Sequence, residues 1–141
     1  MARVAVLMAA GFEEGETVTI VDILRRAGLT CDTFGIGANP VIGMHGMRVL
    51  ADKVFPSNIG DYDMVVLPGG RPGGENLRTD PDVIALVREF DGSGRWVAAM
   101  GRGDAPRDTP AAPGRSRLSA RQHRPHGGTA DAPGVRRLAA C

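Results

Sequence analysis

The chain has 141 residues, enough for one domain of ordinary size and too few for two. Its 43% hydrophobic and 23% charged residues are normal for a water-soluble globular protein, and a formal net charge of +1 points to no partner. Two cysteines with no CxxC pair, and no His/Cys cluster at ligand spacing, exclude a disulfide scaffold and argue against a zinc site.

Arg3–Met8 is a β-branched, apolar run that predicts a buried strand. The apolar stretch Val4–Ala10 behind Arg3 also invites a signal-peptide reading, but it is short and runs directly into Glu13, Glu14 and Glu16. No apolar run approaches membrane-spanning length, so the expected compartment is the cytoplasm. Glu14–Ala27 carries Val18, Ile20, Val21, Ile23 and Leu24 at helical spacing, with Arg25 and Arg26 in its last turn and Gly28 as its stop. Thr30–Ile36 predicts a second strand. Val41–Ile42 and Met47–Ala51 predict a short hairpin or edge excursion around Gly43–Gly46, where His45 reads as a turn residue. Met64–Leu67 predicts another buried strand, ending in Pro68-Gly69-Gly70. Asp80 as N-cap and Pro81 at the first helical position start a helix with Val83, Ile84, Leu86, Val87 and Phe90 on one face. Gly92–Gly94 ends it, and Trp96–Met100 is the last strand. This order predicts parallel strands joined by right-handed crossovers, with helices on both faces.

Composition changes sharply at Gly101. From there to Cys141 the chain holds eight arginines against three aspartates, a balance of +5, which leaves −4 for residues 1–100. The segment has five prolines and no Lys, Glu, Ile, Phe, Tyr, Trp or Met, and its larger aliphatics are Leu118, Val135 and Leu138. Such a stretch buries too little apolar surface to offset the entropy of ordering it, so disorder is the physical expectation. Its arginines lack aromatic interleaving and any nucleic-acid-binding module, which argues against a nucleic-acid partner. Cys31 in the second strand reads as a small core residue. Cys141 has no recognisable environment.

In an open parallel sheet the site lies at the carboxyl ends of the strands, where Ala9–Glu16, Pro68–Gly74 and the chain from Met100 onward all arrive. The run Gly11-Phe12-Glu13-Glu14-Gly15-Glu16-Thr17-Val18, then Asp22 and Leu24-Arg25-Arg26-Ala27-Gly28, resembles the opening of the ThiJ/PfpI superfamily. Gly43-Met44-His45-Gly46 is similar to its Gly-Ser-His-Gly turn. Asp61-Tyr62-Asp63-Met64-Val65-Val66-Leu67-Pro68-Gly69-Gly70, Pro72-Gly73 and Glu75-Asn76-Leu77 match its central signature, and Trp96–Met100 resembles the strand that leads into its nucleophile elbow. The resemblance covers nearly all of residues 1–100. It implies a flavodoxin-like three-layer α/β/α fold with a parallel sheet, cut off after that strand.

It also implies a cofactor-independent activity of the glyoxalase III/deglycase type, in which a cysteine thiolate attacks a small reactive carbonyl such as methylglyoxal. On this resemblance Glu16 is a protonated hydrogen-bond partner of the thiol and a proton-transfer group. Gly69 and Gly70 supply backbone N–H groups toward the developing oxyanion. A homodimer is one arrangement the family implies; a PfpI-type peptidase or an amidotransferase-like activity is a further alternative. Position 101, where the nucleophile belongs, is Gly101, so the implied reaction lacks its attacking atom. His123 and His126 lie in the arginine-rich segment with no family motif around them. Glu13 and Glu14 read as first-turn helix acids favoured by the macrodipole. Two explanations of residues 101–141 stand: a shifted reading frame near codon 100, settled by the nucleotide sequence, or a divergent tail. A non-catalytic binding or chaperone-like protein, or a non-functional fragment with an uncovered sheet face and edge, is the alternative to an enzyme.

Overall fold

In a computed structural model of the chain, residues 1–101 are described. The readings of disorder, of His123 and His126, and of Cys141 fall outside them.

A five-stranded parallel sheet forms the centre, in the order β5-β2-β1-β6-β7, with β1 Arg3–Met8, β2 Thr30–Gly35, β5 Lys53–Val54, β6 Met64–Leu67 and β7 Trp96–Ala99. β3 (Val41–Ile42) and β4 (Arg48–Val49) make a separate antiparallel pair, which is the expected hairpin in a narrower form. β1 lies in the middle, with Val4 to Met8 almost fully buried, because both sheet faces are covered there.

α1 (Glu14–Arg26) covers one face, where Ile20, Val21 and Leu24 pack on Val4, Val6, Cys31 and Val66. α2 (Gly73–Thr79) and α3 (Pro81–Gly92) cover the other, where Leu77, Val83, Leu86, Val87 and Phe90 pack on Ala5, Leu7, Phe34, Val65 and Leu67. The α3 residues stand three, four and seven apart and so share one stripe. Asp80 starts that helix as expected, its Oδ1 accepting from Asp82 N (2.9 Å) and Val83 N (3.0 Å). Each large side chain fully buried in these two layers contributes about 1.5–3 kcal/mol relative to exposure. A third cluster of Met8, Phe12, Val41 and Ala51 seats the hairpin beyond the carboxyl end of β1. No helix among the described residues is long and apolar enough to cross a membrane.

Two elements escape the sequence pattern. β5 is only two residues long, pairing Lys53 with Phe34 and Val54 with Gly35. α2 begins on two glycines in a stretch whose Pro and Gly content reads as a loop.

Candidate active site at the carboxyl edge of the sheet

The loops after β1 and β6 are bound to each other by main-chain contacts. Glu13 N donates to Gly69 O (2.9 Å), and Gly73 N donates to Gly11 O (3.1 Å). The Asn76 side chain adds a bond from Nδ2 to Ala10 O (2.8 Å). β7 ends beside them, with Met100 N donating to Leu67 O (3.0 Å). The three segments expected at this edge therefore meet.

Glu16 sits in the first turn of α1 and projects across this junction. Its Oε2 accepts a hydrogen bond from Gly69 N (2.9 Å). A Cβ on Gly69 would stand 2.7 Å from Glu16 Oε2 and 3.0 Å from Met100 O, so a side chain there would displace the Glu16 carboxyl. The Gly69 N–H is thus held by the carboxylate, and the Gly70 N–H has no acceptor among the described residues.

Gly101 has φ +56°, the left-handed region that costs an L-residue about 1–2 kcal/mol. A Cβ built on it would lie 3.4 Å from Glu16 Oε1, 3.8 Å from Glu16 Oε2 and 3.6 Å from Gly69 Cα. A side chain at position 101 would therefore enter the space between the Glu16 carboxyl and the turn after β6. Glycine adopts this turn without strain; a turn of this kind at the top of a strand is the geometry that nucleophile elbows share.

Of the neighbouring acids, Glu14 stands in the first turn of α1 as expected, and Glu13 stands just before it. Glu13 is the N-cap of α1, its Oε2 accepting from Glu16 N (2.5 Å), so it fixes the backbone of the residue that reaches Gly69. Glu14 is buried, and its Oε1 accepts from His45 N (2.8 Å) and more weakly from Met47 N (3.4 Å). Its Oε2 stands 2.9 Å from His45 Nδ1, which donates when the ring proton is on that nitrogen. Burial pushes the Glu14 carboxyl up, but hydrogen bonds from His45, from its own backbone and from Met47 more than offset this and hold it below the usual carboxylate range. Glu14 thus clamps the hairpin turn to the start of α1. Ligand atoms of Glu13, Glu14 and His45 lie within 4.8 Å of one another, yet Glu13 Oε2 and both oxygens of Glu14 are already engaged. The sequence singled out Glu16 only through the family resemblance. Nothing local could separate Glu14, because its partners are 31 and 33 positions away.

The family profile of the DJ-1/PfpI family matches residues 2–106. The Parkinson disease protein 7 homolog of Danio rerio is 36% identical over 101 residues, which are 70% of this chain and 53% of that protein. Protein dj-1beta of Drosophila melanogaster is 34% identical over 98 residues, 67% of this chain and 52% of its own. Among solved structures, a cysteine-to-alanine mutant of a DJ-1 superfamily protein from Salmonella typhimurium superposes with a TM-score of 0.68 at 37% identity, covering 72% of this chain and 56% of that one. Oxidized Toxoplasma gondii DJ-1 gives 0.68 at 32% identity, covering 71% and 55%. The chain spans about half the length of these relatives.

Proposed function

This chain belongs to the DJ-1/PfpI family, and on that footing we propose that residues 1–101 carry the acid-bearing part of a small-carbonyl site of the glyoxalase III/deglycase type, with the nucleophile position filled by Gly101. As it stands the chain does not turn substrate over. The observation that supports this reading is the direction of position 101: a Cβ there points at Glu16 Oε1 from 3.4 Å.

In the reaction that the family resemblance implies, a thiolate at position 101 adds to the carbonyl carbon, forming a C–S bond while the carbonyl oxygen gathers negative charge. The Glu16 carboxyl lies beside the place an attacking atom at position 101 would occupy, so it can accept or return the proton that the addition requires. The Gly70 N–H is the donor of the Gly69-Gly70 turn left to face the developing oxyanion, since Gly69 is occupied by Glu16. Glycine at 101 supplies no electron pair, so the sequence of events stops before the first bond.

The test is methylglyoxal consumption by the full chain, by Gly101→Cys, and by Gly101→Cys combined with Glu16→Gln, each first checked for folding by circular dichroism. The unaltered chain should show no consumption above buffer. Gly101→Cys should acquire it, and the double variant should lose it again. Consumption by the unaltered chain that Gly101→Cys does not raise would refute the proposal, as would a gain in Gly101→Cys indifferent to Glu16.

A further inference from the structure

A helix start can close on itself in a capping box. The N-cap side chain accepts from the main-chain N–H three residues on, and the side chain of that residue returns to the N-cap's own N–H. Glu13 and Glu16 stand at those two positions of α1, and the first half of the box is made: Glu13 Oε2 accepts from Glu16 N (2.5 Å). The second half is diverted. The Glu13 N–H donates to Gly69 O (2.9 Å), and Glu16 Oε2 accepts from Gly69 N (2.9 Å). One residue of the turn after β6 is thus inserted into the box, its carbonyl and its N–H taking the two groups that would otherwise meet. Three hydrogen bonds close a ring through Glu13, Gly69 and Glu16.

Two features of the sequence admit this insertion. Gly70 has φ +114°, and a Cβ on it would stand 2.5 Å from Glu13 N and 2.4 Å from Gly11 O, so the turn seats against the start of α1 only without one. Glutamate is also longer than the side chains favoured at an N-cap, which are Ser, Thr, Asp and Asn. The extra reach gives the cap a second contact, because Glu13 Oε1 lies 3.7 Å from His45 Nδ1. Glu13 therefore ties together the hairpin turn, the first turn of α1 and the turn after β6.

The consequence for Glu16 is directional. A glutamate free to close its box folds back onto the N-cap N–H, away from the end of β7. Here that N–H is taken by Gly69 O. The Glu16 carboxyl stays extended, with Oε2 on Gly69 N and Oε1 3.4 Å from where a Cβ at position 101 would stand. Its main-chain N is fixed by Glu13 Oε2 at the same time, so the residue is held at both ends. We propose that Glu13 is a positioning residue, which through this interrupted capping box holds the Glu16 carboxyl against position 101. The inference rests on the reading of Glu16 as the proton-transfer group and adds the side chain that sets its direction. Direction matters because a displacement of about 1 Å at a reacting group can cost about a hundredfold in rate.

A thiol at position 101 reads the effect without any substrate turnover. In the full chain carrying Gly101→Cys and Cys141→Ser, with Cys31 buried, the rate of alkylation by iodoacetamide against pH gives the ionisation midpoint of that thiol. A Glu16 carboxyl that shares its proton with the sulfur favours the thiolate, so the midpoint should lie about one pH unit below the ordinary thiol value of about 8.5. Glu16→Ala should return it to that value. Glu13→Ala should return it at least half of the way, and should do nothing further once Glu16 is Ala. Glu13→Gln keeps an oxygen for the Glu16 N–H and should leave the midpoint where it was. A cap that only stabilises the helix would act otherwise: Glu13→Ala would lower the thermal melt and leave the midpoint alone, which overturns the proposal while the site stands. An equal shift with and without Glu16 also overturns it. So does Glu13→Gln matching Glu13→Ala, which makes charge rather than the hydrogen bond the agent. If Glu16→Ala itself leaves the midpoint unmoved, the proposed site fails and its positioning residue with it. Glu13→Gly removes the same side chain at less cost to a helix start and gives the same comparison where Glu13→Ala does not fold.

Discussion

The Glu16 Oε2 atom accepts its hydrogen bond from the main-chain N–H of Gly69, fifty-three positions further along the chain, at 2.9 Å. That contact joins the start of α1 to the turn after β6, and it holds the carboxyl against the space where a side chain at position 101 would point. Its energetic meaning is separable from any chemistry. A part-buried N–H that loses its acceptor costs about 1–3 kcal/mol, whereas exchange for another acceptor costs little.

Glu16→Ala should therefore lower the free energy of unfolding by about 1–3 kcal/mol. Glu16→Gln keeps a carbonyl oxygen in place and should stay within about 0.5 kcal/mol of the unaltered chain, the usual scatter of benign changes. Urea denaturation of the three proteins checks this. Equal losses in Ala and Gln would mean that the charge, not the acceptor, matters at this contact.

Glu14 makes acid the second lever. Its pKa in the folded protein lies below the ordinary 4.5, because the hydrogen bonds from His45 and Met47 outweigh the cost of burial. A depressed carboxylate pKa stabilises the fold at pH values above the ordinary one, and that contribution fades as pH falls through the folded-state value. Stability should thus decline below about pH 4.5. Asp52, held low by Thr33 and Arg25, and Asp32, held low by Tyr62 and Lys53, add to the fall below their ordinary 3.8. Glu14→Gln should be less stable at neutral pH and lose less between pH 5 and pH 3 than the unaltered chain. Urea midpoints across that range test the difference in slope, and parallel curves would remove Glu14 from the account.

The three glutamates at the start of α1 mark the limit of what the sequence could disclose. β1 and β6 were legible because a strand buried on both faces is an unbroken apolar run. α3 was legible because Asp80, Pro81 and the Val83–Phe90 stripe all favour the same element. Glu13, Glu14 and Glu16 are one residue type within four positions of one helix start, and any helix-start rule treats them alike. The fold gives them three fates: a cap, a buried clamp and a carboxyl facing position 101. What sets Glu14 and Glu16 apart is contact with residues 31 and 53 positions away, and no local pattern encodes that. β5 failed for a related reason, since two residues beside Phe55-Pro56 carry no period and become a strand only because β2 offers an edge.

Cys31 gives the last prediction. It is buried in β2 on the α1 side, and burial pushes its thiol up to about 11 against the weaker opposing pull of Arg25. Since the thiolate is the reactive form, a thiol with that pKa is almost wholly protonated at pH 8 and is also out of reach of reagents. In the Cys141→Ser background the folded chain should therefore react with an aromatic disulfide reagent only as fast as the α1 layer opens, and should yield its thiol at once in urea. The measurement bears on function as well. A fast-reacting thiol in the folded Cys141→Ser protein would give this chain a nucleophile of its own away from position 101. Reaction confined to the unfolded state leaves Gly101 as the place where a nucleophile must be restored.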